Sequence, residues 1–311
     1  MEEMSCESRT MGKRLKSFTG NWELYVLLLP ALAYFVIFHY IPMYGVQIAF
    51  KDFIPADGIW GSKWVGFAHF LRFFDSYFFW DLIRNTLVIS IYTLVVAFPI
   101  PIILALSINE IAGSGIKKMV QTVTYAPYFI STVVMCGMIL SFLSPSSGII
   151  NKMLEAVGFE VIPFMSKAEY FPSIYVLSGV WQSAGWNSVI YLASLAGVDM
   201  QLHESAALDG ASRLQRIWYI NMHQIIPVMV ISLIMSCGSI LSVGYEKIYL
   251  LQNQLNIDTS EVISTYVYKA GLQNAQYSFA SAVGLFNSAI NLVMLVIVNS
   301  FAKKVNETSL W

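Results

Sequence analysis

Six stretches of this chain contain no Asp, Glu, Lys or Arg: residues 24–50, 85–109, 119–151, 170–198, 217–245 and 270–302. Each exceeds the roughly 20 residues that cross about 30 Å of hydrocarbon at about 1.5 Å per residue. A charge at mid-membrane costs about 2.5–3.5 kcal/mol on insertion scales. Six such gaps in 311 residues are therefore the mark of a bilayer rather than of chance. Composition agrees, with 57% apolar and 12% charged residues against about 25% charged in soluble domains. A net charge of -1 supplies no basic field for nucleic acid. Soluble enzymes, nucleic-acid binders and disordered scaffolds are excluded. Lipid allows exposed backbone no irregular path, so the expectation is an all-α membrane protein with six transmembrane helices.

The spans are placed near residues 24–44, 82–107, 119–142, 173–197, 225–245 and 279–302. The first is too long for a signal-peptide core and reads as a retained span. An even number puts residues 1–23 and 303–311 on one side, flanking a single domain over 24–302. Ten cations lie on that side, including Lys117, Lys118, Arg213 and Arg216, against seven in the opposite loops. This bias places both tails in the cytoplasm and membrane lipid around the spans. Pro99, Pro101 and Pro127 fall inside expected spans and read as kinks. In the first outer connection, the run FAHFLRFFDSYFFW reads either as an interfacial helix or as packing beneath the loop. Cys136 and Cys237 lie in apolar surroundings and read as inert packing. Glu246 and Lys247 read as snorkelling to the interface or as binding-protein contacts. His39, His203 and His223 form no metal-like or catalytic set, so no metal or catalytic residue is assigned.

The longest inner connection, residues 198–224, carries the most specific pattern. Leu202, Ala206 and Leu208 offer apolar surface, Gly210 interrupts the helical pattern, and Ser212 is a cap for a helix with Leu214, Ile217 and Trp218 on one face. The product is a short helix, a tight turn and a second helix. Small residues at 205–207 permit close approach by another surface. On these residues alone, a solvated hairpin between spans is an equal reading. Yet Glu204-Ser205-Ala206, three residues, Gly210, and Ile220 ten residues further on resemble the EAA loop of ABC importer permeases. Asp209-Gly210-Ala211-Ser212 is similar to the form frequent in sugar permeases. Ser205 replaces the family's first Ala, while Met222 and His223 stand where Leu and Pro are usual. Resemblance to the maltose-type carbohydrate class extends to Arg84-Asn85-Thr86-Leu87 and Trp181 through Leu195, while the closing Ser309-Leu310-Trp311 resembles the narrower LplB/YteP-like branch. The segments 244–251 and 261–268 resemble the LplB/YteP-like branch.

That resemblance implies a type I ABC importer permease fold, not an enzyme, in a bacterial plasma membrane. It implies a second homologous permease, two cytosolic ATPases and an extracellular solute-binding protein as partners. Glu204, Ser205, Ala206, Ala207, Asp209, Gly210 and Ala211 would then couple the chain to the ATPase. Gly113 to Lys118 do not form a phosphate loop, so ATP and Mg are expected on the partner and no cofactor on this chain. Sugar recognition needs aromatic faces for C–H patches and polar groups for hydroxyls. The candidates are Tyr125 and Tyr128 in span three, Trp181, Gln182, Trp186, Asn187 and Tyr191 in span four, and Ser236, Ser239 and Ser242 at i, i+3, i+6 in span five. Each of these also suits packing or helix–helix hydrogen bonding. Two rival classes are weighed. An ion-coupled secondary transporter normally needs intramembrane acids, and a membrane-embedded enzyme needs a polar catalytic cluster; the charge-free spans oppose both.

Overall fold

The computed structural model describes residues 22–306. The chain divides between Gly66 and Phe67 into two compact units. Residues 1–21 and 307–311, with Cys6 and most of both expected tails, lie outside the described residues.

The first unit is dominated by helix α1, Trp22–Phe50. Pro42 has no amide hydrogen and clashes with the preceding turn, and a π-helical turn at Val36–Tyr40 absorbs the misfit just before it. His39 lies in this turn, its ring 5.3 Å from Phe35 and 5.6 Å from Tyr34. After α1 comes a two-residue antiparallel ladder, Lys51 opposite Trp64 and Asp52 opposite Lys63, a small exception to the all-α expectation.

The second unit is helical: α2 (Ala68–Phe74), α3 (Phe79–Asn109), α4 (Ser114–Phe129), α5 (Thr132–Phe142), α6 (Ile149–Ala156), α7 (Phe171–Leu195), α8 (Met200–Leu208), α9 (Arg213–Gly238), α10 (Tyr245–Leu251), α11 (Ile263–Tyr268) and α12 (Tyr277–Asn306). Among the described residues four helices, α1, α3, α9 and α12, are long and apolar enough to cross a membrane, and α4 with α5 make a fifth if counted together. The remaining expected span, 173–197, coincides with α7, whose serines, Gln182 and Asn187 keep it out of that apolar set.

Two expected spans have different shapes. Residues 119–142 are not one helix, because α4 and α5 meet at 98°. Pro127 lies in a 3₁₀ turn, Ile130 is extended (ψ 127°), and Ser131 caps α5 through the Val134 amide. The Pro-then-Ser spacing ends one helix and starts another. The fifth span is displaced toward the N-terminus, running from Arg213 to Gly238 rather than 225–245. Beyond it the Asn291 side chain takes the Leu241 amide (3.0 Å), which stops the helix from continuing. Ser242 is therefore off the helix, and Ser236, Ser239 and Ser242 are not one helical stripe.

Among the described residues four buried clusters hold the second unit together, one of them Val176, Val180 and Ala184 of α7 against Tyr92, Val96 and Ile100 of α3. Phe73, Leu82, Ile263, Phe279 and Val283 join α2, α3, α11 and α12. Ile89, Cys136, Phe171 and Ile248 join α3, α5, α7 and α10. Ile102, Leu106, Tyr191, Leu195 and Ile225 join α3, α7 and α9. Within the aromatic run Phe73 is fully buried, which fits the packing reading, while Phe67, Tyr77 and Trp80 are exposed. Polar ties cross the same elements. Asn85 donates to the carbonyls of Asp258 (2.8 Å) and Glu261 (3.0 Å), and Thr86 accepts from the Ile263 amide (3.0 Å). Lys269 meets both Glu261 (2.5 Å) and Gln252 (2.6 Å), closing a small network over α11.

Candidate functional site

Residues 199–216 form the helix–turn–helix that the spacing predicts. Asp199 caps α8 by accepting from the Gln201 amide at 2.9 Å. At the other end Gly210 takes φ +81°. The Ala211 amide bonds the Ala206 carbonyl and the Gly210 amide bonds that of Ala207, a Schellman closure that favours glycine at its left-handed position. Ser212 then opens α9 with a capping box: Gln215 N donates to Ser212 Oγ (3.4 Å) while Ser212 N donates to Gln215 Oε1 (2.7 Å). The result is a short, well-terminated helix whose outer side is open. Glu204, Ser205, Ala207 and Asp209 are exposed, with Ala206 and Ala211 half-buried. Leu208 is 90% exposed and Leu202 53%.

One anchor of this helix was not legible in the sequence. His203 Nε2 lies 2.9 Å from Asn221 Oδ1, and Asn221 Nδ2 donates to Glu110 Oε1 at 3.3 Å. Since the amide donates to the carboxylate, its oxygen faces the imidazole, which is the donor there. Asn221 is fully buried. The chain Glu110–Asn221–His203 ties α8 to the start of α9 and to the segment just past α3. Separations of 111 and 18 residues leave no local pattern to find.

Between α3, α7 and α9 lies a cavity of about 830 Å³. Of the candidate sugar residues, Trp186, Asn187, Tyr191, Ser236, Ser239 and Ser242 line it. Trp186 and Asn187 are exposed, whereas Tyr191 is buried. Ser242 is engaged by Asn291 Nδ2 at 2.8 Å. Four candidates lie elsewhere. Tyr128 stacks on Trp186 (4.8 Å, 8°) and so supports a lining residue from behind. Gln182 donates to the Ile130 carbonyl at 2.8 Å, satisfying the break between α4 and α5. Tyr125 sits at the end of the α-helical part of α4, and Trp181 is half-exposed away from the cavity. The spacing of α7 could not separate these faces, because the 98° bend decides which residues α4 covers. Sequence reasoning missed the α3 wall altogether, where Ser90, Thr93 and Phe98 line the same cavity.

Lys247 does not snorkel outward. Its ammonium donates to the Tyr175 carbonyl (2.6 Å) and lies 4.5 Å from that ring's centroid. Burial holds it down to about 8, below the ordinary 10.5. Glu246 beside it is exposed.

The family model described as "Binding-protein-dependent transport system inner membrane component" matches residues 97–307. The polygalacturonan/rhamnogalacturonan transport system permease protein YteP of Bacillus subtilis (strain 168) is 42% identical over 288 residues, 93% of this chain and 90% of its own length. Protein LplB of the same organism is 40% identical over 93% of this chain and 91% of its own. A crystal structure of a bacterial ABC transporter involved in the import of the acidic polysaccharide alginate gives a TM-score of 0.87 at 41% identity, covering 94% of this chain and 99% of that one. A bacterial alginate ABC transporter in complex with alginate pentasaccharide-bound periplasmic protein gives the same TM-score and identity, covering 95% and 99%.

Proposed function

The chain belongs to the family of binding-protein-dependent transport system inner membrane components, and on that premise we propose its particular work: half of the translocation path of an ATP-driven oligosaccharide importer. It is a multi-pass permease of the LplB/YteP branch, not an enzyme. Uronate-bearing oligosaccharides are the proposed cargo, supported by the polygalacturonan and alginate named for its relatives. The observation that carries the reading is the cavity of about 830 Å³, to which an indole (Trp186), an amide (Asn187) and serine hydroxyls all open. An aromatic face takes a sugar's C–H patch, and amides and hydroxyls take its OH groups. The described lining residues carry no charge. This wall therefore reads hydroxyls and ring faces, and selection for carboxylates falls to the other subunits.

The partners proposed are a second permease of the same family, an extracellular sugar-loaded binding protein, and two cytosolic ATPases that hold the ATP and Mg. The outer side of α8 is the docking surface for an ATPase. Burying about 300 Å² of apolar surface there contributes roughly 7 kcal/mol before association costs, and Glu204 and Asp209 add charge-assisted bonds. Both termini then lie in the cytoplasm, with lipid against the exposed face of α1.

The test is reconstitution in liposomes with all partners. Uptake is expected to require ATP and to survive collapse of the proton gradient. Gly210→Leu, which forces a branched side chain into φ +81°, is expected to leave the subunit inserted while abolishing sugar-stimulated ATP hydrolysis. Proton-driven uptake without the ATPases would overturn the proposal.

A further inference from the structure

The α3 wall of the cavity holds two hydroxyls that the protein itself does not use. Among the described residues, Ser90 Oγ and Thr93 Oγ1 are buried side-chain atoms with no hydrogen-bond partner. Ser90 is 7% exposed. Several helical hydroxyls elsewhere in this unit donate back to a carbonyl three or four residues earlier: Ser183 to Gly179 (2.8 Å), Ser188 to Gly185 (2.6 Å), Ser236 to Ser232 (2.8 Å) and Thr124 to Val120 (2.8 Å). That local bond is the usual way to satisfy a hydroxyl inside an apolar helix. Ser90 and Thr93 forgo it, and both line the cavity that Trp186 and Asn187 also line.

A desolvated hydroxyl without a partner is unfavourable, so a pair of them on one face implies a polar ligand. Their i, i+3 spacing puts the Cβ atoms about 5–6 Å apart, which suits two hydroxyls on one sugar ring. A hydroxyl both donates and accepts, so it matches a sugar OH of either orientation. We propose that Ser90 and Thr93 form a second sugar-binding wall, contacting hydroxyls of the oligosaccharide from α3 while Trp186 and Asn187 contact it from α7. The proposal rests on the reading of this chain as an oligosaccharide permease.

The experiment uses the complete importer in liposomes with three probes: trigalacturonate, trimannuronate and neutral arabinotriose. Ser90→Ala with Thr93→Val removes both hydroxyls and keeps the shape of the wall. Uptake of the transported probe is expected to fall about tenfold, equivalent to about 1.4 kcal/mol of barrier. The thermal midpoint of the purified complex is expected to be unchanged or higher, since no protein hydrogen bond is lost. Thr93→Ser, which restores one hydroxyl, is expected to recover part of the rate. Uptake at the wild-type rate overturns the wall, leaving the hydroxyls to water alone. A lower midpoint overturns it too, because the hydroxyls would then serve the fold. If the wild-type complex imports none of the three probes, the oligosaccharide reading itself fails and takes the wall with it.

Discussion

Gly185 sits where α7 passes over α4, and a Cβ there would overlap the Thr124 carbonyl and reach within 3.0 Å of the Tyr125 amide nitrogen. Backbone cannot swing aside as a flexible side chain can, so the contact demands the absence of a side chain. Gly185→Ala is expected to cost about 1–3 kcal/mol, the range for forced overpacking, and to lower the thermal midpoint in detergent. The variant should also weaken uptake, since Trp186 and its stacking partner Tyr128 depend on this approach. Gly210 is glycine for another reason: a Cβ there would meet nothing within 4 Å, and the constraint lies in its positive φ. The two positions look alike in the sequence. One is set by a neighbour 60 residues away and the other by its own backbone, so only the second is readable locally.

Among elements, the decisive joint is that between α8 and α9. The capping chemistry of Asp199, Gly210 and Ser212 is local, and the pattern of the chain predicts it at Gly210 and Ser212. What ties α8 to the bundle is Asn221, buried between His203 and Glu110. Replacing it by Leu leaves both partners without their amide, and a buried polar group stripped of its partner costs about 1–3 kcal/mol. Asn221→Leu is expected to lower the thermal midpoint and to reduce transport per ATP hydrolysed in the reconstituted complex. Lys247 joins α10 to α7 and makes stability depend on pH. Below about 8 the folded and unfolded chains both carry its charge, and the folded state bears the cost of burial. Between about 8 and 10.5 the folded form has shed a proton that the unfolded form retains, so stability rises with pH through that window. Lys247→Met should flatten that rise in thermal melts run at pH 7.5 and 9.5, and should raise the midpoint at the lower pH.

At the scale of the molecule, apolar side chains face outward. No residue of the apolar window of α1 is buried, and on α12 Leu292, Val293, Ile297 and Phe301 are exposed. That is the surface of a protein solvated by lipid and by other apolar helices. The proposed orientation makes a direct prediction within the second unit, where Tyr77 is 88% and Leu208 90% exposed. In sealed right-side-out vesicles, Tyr77→Cys should react with an impermeant maleimide, while Leu208→Cys should react only after the membrane is opened. Reaction of both from outside would refute a cytoplasmic α8.

The charge-free intervals dictate that the chain is helical and membrane-bound, because lipid penalises an unpaired charge wherever it falls. Glycine, serine and aspartate at 199–212 specify the short helix and its turn, because caps act over four or five residues. The Pro127-to-Ser131 spacing breaks a span locally, but tertiary structure alone decided that its halves meet at 98°, that Gln182 and Tyr128 support the cavity rather than line it, and that Ser90 and Thr93 belong to its wall. Those outcomes depend on which helix covers which face. Contacts between residues 50 to 180 positions apart leave no periodic trace in a single sequence.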